Sequence, residues 1–267
     1  MHLKKVWKNY LNNFVFVLIL IFFSVNSYSE EELPLIPIPC KASDCNTKYP
    51  ETFTHYKKAE NSKDLLIYLP GGLGTRNLGM RFDVFPDTHL ESLRDKIDLV
   101  FLASPYPMDH PKSEAKDRKS KDHYERIKSV VNFYKEKTGK RIWLSGCSLG
   151  TNSLGNFLSL PEHQSLIYGA VFMCTNFNVK FSAKTINMPI LIIHHKKDAC
   201  SSNPYSGSVR LEKLFKKRNS GDTTLIGIEG GTASGRDPCN GSKGPYHFFG
   251  SKAEEANNKI VEYIENH

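Results

Sequence analysis

The sequence has no apolar run long enough to span a bilayer. Its longest, Phe14 to Phe23, counts ten residues, against the ~20 that a membrane helix needs. Glycine and proline are not in excess: 18 and 14 in 267 residues exclude a collagen-like repeat. With 39% hydrophobic residues, intrinsic disorder is excluded as well. No internal repeat, low-complexity tract or linker after residue 50 divides the chain. One domain is therefore expected, of a size that buries a sizeable core without help from metals. A basic stripe interleaved with aromatics is also missing. The densest cations, Lys112, Lys116, Arg118, Lys119 and Lys121, are diluted by Glu114, Asp117 and Asp122, with no aromatic residue before Tyr124. That stretch reads as a solvated loop and helix start, and no nucleic-acid partner is expected.

What is present first is a leader. Lys4, Lys5 and Lys8 precede the apolar run, and Ser24, Ser27 and Ser29 separate it from Glu30, Glu31 and Glu32. This is the anatomy of a secretory signal peptide over residues 1–29. Ser27 and Ser29 are suited to cleavage after Ser29, with cleavage after Ser27 as the competitor and an uncleaved anchor recruiting Val25 as the other alternative. Cys40, preceded by Pro37-Ile38-Pro39, is no lipoprotein cysteine. Cleavage removes three lysines and no acidic residue, lowering the formal charge from +8 to +5. The expected product is exported, periplasmic or secreted, and not stably inserted in a membrane. All six cysteines, Cys40, Cys45, Cys147, Cys174, Cys200 and Cys239, follow the leader, in a compartment where disulfides persist. Their even number fits full pairing, but only Cys40 and Cys45 are close enough to suggest a local loop; the other connectivities stay open.

Beyond a Pro-rich segment, 30–50, residues 51–267 alternate apolar runs with amphipathic stretches. Asp64–Leu69, Ile97–Ala103, Arg141–Leu144, Tyr168–Cys174, Ile190–His194 and Thr223–Ile228 read as strands, most too continuously apolar to have a wet face. His123–Lys137, closed by Thr138-Gly139, reads as a helix, as do Leu211–Lys217 and Lys252–Asn266. The alternation predicts an α/β fold: a mostly parallel central sheet with helices on both faces. Ser104–Lys121, long and proline-punctuated, is expected as an excursion at the carboxyl end of a strand, where open α/β sheets place ligands.

Gly146-Cys147-Ser148-Leu149-Gly150 is a G-x-S-x-G sequence. Those three fixed positions alone are weak and fit an ordinary glycine-rich turn. Placed directly between a strand and a helical segment, they describe a tight turn that holds a nucleophilic serine clear of the sheet. This context resembles the α/β-hydrolase fold family, from about Asp64 to the C-terminus. The resemblance implies an acid after a later strand and a histidine after the last. Asp198, in Ile190–Asp198, matches the acid position, and His247, in Gly244-Pro245-Tyr246-His247, resembles the histidine loop. By itself each would read as a loop residue; their order behind Ser148 is what assigns them. The turn Pro70-Gly71-Gly72-Leu73-Gly74 resembles the family's oxyanion turn, with Pro70 where His is usual, which implies backbone donors at Gly72 and Leu149, with Leu73 as the one-residue alternative. A nucleotide loop is the weaker reading, since Asn77 replaces the third glycine and no Walker lysine follows. Arg76 is read as an exposed structural arginine or, alternatively, a contact for an acidic substrate group.

Adjacent His194 and His195 point to opposite faces of a strand and are unsuited to sharing a metal. No metal or cofactor is expected, and His194 is read as a structural strand-end histidine. In a triad of this order the loops of Asp198 and His247 converge, which implies a Cys200–Cys239 disulfide; Cys147 and Cys174, after neighbouring strands of the family's fold, form a possible third pair. Only Thr175 to Pro189 separates the sixth strand of that fold from the next, too little for a cap domain. The resemblance thus implies a capless serine esterase acting on a small-molecule ester or related acyl substrate. Peptidase, thioesterase and acyltransferase use the same triad, and a catalytically silent binding protein on the same scaffold is the alternative from another class. Leaving group and oligomeric state are not legible.

Overall fold

The sheet begins earlier than the apolar runs indicate. In the computed structural model the described residues are 35–71, 90, 92–93, 95–102, 117–233, 238–239, 242–243 and 245–267, within a compact unit Leu33–His267. Its first strands are β1 (Leu35–Pro39) and β2 (Glu51–Lys57), paired antiparallel. β1 forms the sheet edge, the place where Pro37 and Pro39, lacking N–H groups, cost least. The leader lies outside the described residues.

The six expected runs follow as β3 (Asp64–Leu69), β4 (Asp98–Leu102), β5 (Arg141–Cys147), β6 (Gly169–Met173), β7 (Ile190–His195) and β8 (Thr223–Ile228). The order across the sheet is β1-β2-β4-β3-β5-β6-β7-β8. β2 meets β4 antiparallel, and from β4 to β8 every pairing is parallel. β3, β4, β6 and β7 are buried throughout. β8 departs from the expected double burial: it is the other edge, and Thr224–Gly227 are half-exposed.

Alternation along each strand sorts side chains between two cores. Leu65, Ile67 and Leu69 of β3 enter one, packed with Ile127, Val130, Val131 and Tyr134 of α1 (Lys121–Thr138) and Leu154, Phe157 and Leu158 of α2 (Gly150–Leu158). After the short α3 (Pro161–Gln164), α4 (Tyr205–Arg218) adds Leu211 and Phe215 to the same layer. Leu66 and Tyr68 enter the other core, against Ala256, Ile260 and Ile264 of α5 (Ala253–Glu265). Helices on both faces are the expected architecture. α1 ends as its sequence indicates, with Gly139 left-handed at φ 66° and its N–H bonded to the Lys135 carbonyl. Arg118 is not solvated as expected: it is 1% exposed, and its guanidinium donates to Ser153 Oγ at 2.8 Å. Residues 103–116 of the expected excursion lie outside the described residues.

The chain crosses from β3 to β4 on one side and from there to β5 on the other, so β3 has a partner on each flank. Such a reversal opens a crevice at the carboxyl ends of the strands. Ser148 stands at the end of β5.

Candidate active site

β5 ends at Cys147, and α2 starts at Gly150. Only Ser148 and Leu149 make the turn, and Ser148 takes φ 52°, a left-handed conformation uncommon for a residue with a Cβ. The two flanking glycines make the sharpness possible. A Cβ on Gly146 would stand 2.5 Å from the Gly150 carbonyl oxygen, and one on Gly150 would stand 2.1 Å from that of Leu69. The turn is locked from behind: Ser148 N–H donates to the Met173 carbonyl at 3.1 Å, and its own carbonyl accepts from Thr151 N at 3.0 Å and from Thr151 Oγ1. Thr151 Oγ1 in turn accepts from Asn176 N at 3.0 Å. Ser148 is 8% exposed.

The turn after β3 comes against this serine. A Cβ on Gly71 would lie 2.8 Å from Ser148 Cβ and 2.7 Å from the Cys147 carbonyl oxygen. Gly71 was not singled out in the sequence, and its doublet with Gly72 was the available signal. Gly72, Leu73 and Arg76 lie outside the described residues. Leu149 is the residue before α2, so its backbone sits at the positive end of that helix.

Asp198 follows β7 by three residues and has a fully buried side chain. His247 Nδ1 lies 2.9 Å from Asp198 Oδ2, and His194 Nε2 lies 2.8 Å from the same oxygen; Oδ1 accepts from Cys200 N at 2.8 Å. Burial would raise the carboxyl's pKa, but the hydrogen bonds from His194 and His247, with their electrostatic attraction, outweigh it and hold Asp198 below its ordinary value. An ionised carboxylate only accepts, so both rings donate to it. A neutral His247 then carries its lone pair on Nε2.

Three ties hold the two loops together. Ala199 N donates to the Pro245 carbonyl at 3.1 Å. Cys200 and Cys239 form a disulfide, with Cys239 on the small hairpin of β9 (Pro238–Cys239) and β10 (Ser242–Lys243). Tyr246, at φ 65° before His247, stacks on His195 with centroids 4.3 Å apart. His195 accepts Lys197 N–H at Nδ1 and faces the Gly230 carbonyl through Nε2, and burial pushes its pKa down. His194 and His195 thus face different partners, as their adjacency on a strand implies.

The second disulfide joins Cys40 and Cys45. The possible third pair is not formed: Cys147 and Cys174 are buried thiols. Cys147 stands in register with Met173, and Cys174, one residue beyond the strand, takes φ 47°. The two therefore enter the second core one step apart. Residues 174–189 contain no helix, only turns, bends and a bridge from Ile186 to Asn219. The direct contact of His194 with Asp198 has no signal in the sequence, since a four-residue spacing across the end of a strand does not fix where the side chain turns.

No family model and no curated protein matches this chain. Solved structures do resemble it. A lidless α/β serine hydrolase from Xanthomonas campestris is 12% identical, with 88% of this chain and 95% of that one covered at a TM-score of 0.54. An esterase from Pyrobaculum calidifontis is 14% identical, with 88% and 85% covered at 0.56. Est1E from Butyrivibrio proteoclasticus is 15% identical, with 87% and 98% covered at 0.52. The chain has the α/β-hydrolase fold, without a cap domain between β6 and β7.

Proposed function

We propose that the protein is an exported serine hydrolase that cleaves carboxylic esters through an acyl-enzyme intermediate. The observation that carries this reading is the buried hydrogen bond from His247 to Asp198, 2.9 Å long, at the same end of the sheet as Ser148 on its strained turn. In the proposed reaction His247 Nε2 takes the Ser148 hydroxyl proton as Oγ attacks the ester carbonyl. Asp198 keeps the ring in the tautomer with Nδ1 protonated and stabilises the imidazolium. The N–H groups of Leu149 and Gly72 receive the negative oxygen of the tetrahedral intermediate. The imidazolium then protonates the departing alcohol, and water activated by the same ring releases the acid. No step calls for a cofactor. Two disulfides support export, since such bonds persist in oxidising compartments. The esterases among the structural neighbours favour esters over the other acyl substrates of this chemistry.

The test is covalent labelling of mature protein by a fluorophosphonate. Label is expected on Ser148, with Ser148→Ala abolishing both label and ester hydrolysis. Labelling that survives Ser148→Ala, or full activity in His247→Ala, overturns the reading.

A further inference from the structure

We propose that His194 is a positioning residue for the reaction: a second imidazole that holds Asp198 by the same oxygen that holds His247. The inference rests on the assignment of Ser148, His247 and Asp198 made above, and concerns a group that assignment does not use. Four buried side chains stand in line. Ser208 Oγ on α4 is 2.7 Å from His194 Nδ1, His194 Nε2 is 2.8 Å from Asp198 Oδ2, and that oxygen is 2.9 Å from His247 Nδ1. Ser208 and His194 are 0% exposed, and His247 is 2% exposed.

The protons in this line are set by the carboxylate. Asp198 accepts from both rings, so a neutral His194 has its proton on Nε2 and accepts the Ser208 hydroxyl proton at Nδ1. With Oδ1 taken by Cys200 N–H, rotation of the carboxylate would break bonds at both oxygens. Its orientation toward His247 is thereby fixed from α4, from β7 and from its own turn. The same arrangement divides the charge of Oδ2 between two donors, leaving less of it to stabilise the His247 imidazolium. Among the described residues, the other titratable groups around this line are few. His195 faces the Gly230 carbonyl, Tyr205 of α4 lies against the His194 ring at 5.9 Å, Lys196 pairs with Glu229, and Lys197 is exposed.

Removing His194 should therefore loosen Asp198 and strengthen its remaining bond to His247. If His194 only filled space, its removal would do neither. The experiment measures kcat, KM and the acid limb of kcat/KM for a soluble ester in mature wild type, His194→Phe, His194→Gln and Ser208→Ala. The low-field imidazole N–H resonance is recorded on the same samples. In His194→Phe the acid limb should move up by about half a pH unit or more, kcat should fall about tenfold with KM little changed, and the resonance should shift downfield. His194→Gln, which restores an N–H donor, should return the limb toward wild type. An unmoved limb and resonance in folded His194→Phe overturn the proposal. If that variant does not fold, Ser208→Ala decides: a smaller shift in the same direction supports the proposal, and no shift overturns it. Wild-type protein unlabelled by fluorophosphonate would overturn the hydrolase reading instead, and the resonance alone would then judge the link from His194 through Asp198 to His247.

Discussion

Gly150 abuts Leu69 so closely that a methyl group on its Cα would stand 2.1 Å from the Leu69 carbonyl oxygen. The contact joins the first residue of α2 to the last of β3, and the obstructing atom belongs to backbone at the centre of the sheet. It has little freedom to yield.

Gly150→Ala should accordingly destabilise the protein by about 1–3 kcal/mol or more through overpacking, and displace Ser148 with it. Gly139→Ala is the contrast: φ is 66° there, but nothing lies within 4 Å of the added carbon. Its cost should be that of the backbone conformation alone, about 1 kcal/mol. Urea unfolding gives the stabilities; fluorophosphonate labelling should be lost in Gly150→Ala and kept in Gly139→Ala.

Peptide mapping of unreduced, exported protein should find Cys40 joined to Cys45 and Cys200 to Cys239, with thiols at Cys147 and Cys174 that alkylate only after unfolding. Cys200→Ser with Cys239→Ser opens a loop spanning 39 residues, for which chain entropy gives about 4 kcal/mol at most. Activity should fall further than stability accounts for, because the bridge ties the Asp198 turn to the hairpin before His247.

His123 makes stability depend on mild acid. Its ring is buried, with no partner for Nε2 among the described residues, and burial followed by the Arg118 charge lowers its pKa from 6.5 to about 3. The unfolded chain binds the proton near pH 6.5 and the folded one does not, so stability is complete above that pH and is lost as pH falls toward about 3. Between pH 7 and pH 5 wild type should lose about 2 kcal/mol more than His123→Phe, read from urea midpoints at the two pH values. Equal losses would place the ring in contact with water.

The absence of a cap governs substrate access. With no helix in residues 174–189, the proposed esterase has no cap between β6 and β7 to supply an apolar lid for docking on a lipid droplet. Short-chain, soluble p-nitrophenyl esters should be preferred, with rate saturating smoothly in concentration. A sharp rise above the solubility limit of a long-chain ester would contradict this.

Much of the fold was legible because buried parallel strands are nearly continuous apolar runs: Leu65–Leu69 and Ile190–Ile193 admit few other readings. β1 and β2 were not, since Pro37 and Pro39 argue against a strand except at an edge, and Thr52, His55 and Lys57 dilute the pattern of β2. Arg118 was misjudged for a related reason. Composition puts a lysine-rich loop in water, whereas the guanidinium finds Ser153 only because α2 packs beside it.

In the site, local chemistry sufficed for the tight turn: Gly146 and Gly150 bracket Ser148 within five residues, and the need for small side chains is a matter of near neighbours. Asp198 and His247 were identified by their order after strands, but their 2.9 Å bond closes 49 residues of chain and exists only when β7, β8 and α5 are in place. The sequence by itself determined the candidates Ser148, Asp198 and His247 and that a parallel sheet would present them at strand ends. Tertiary structure alone decided that Cys147 and Cys174 remain thiols, and that His194 turns to the carboxylate rather than merely filling core. A side chain's type is local, but its partners follow from register and packing between segments far apart in the chain.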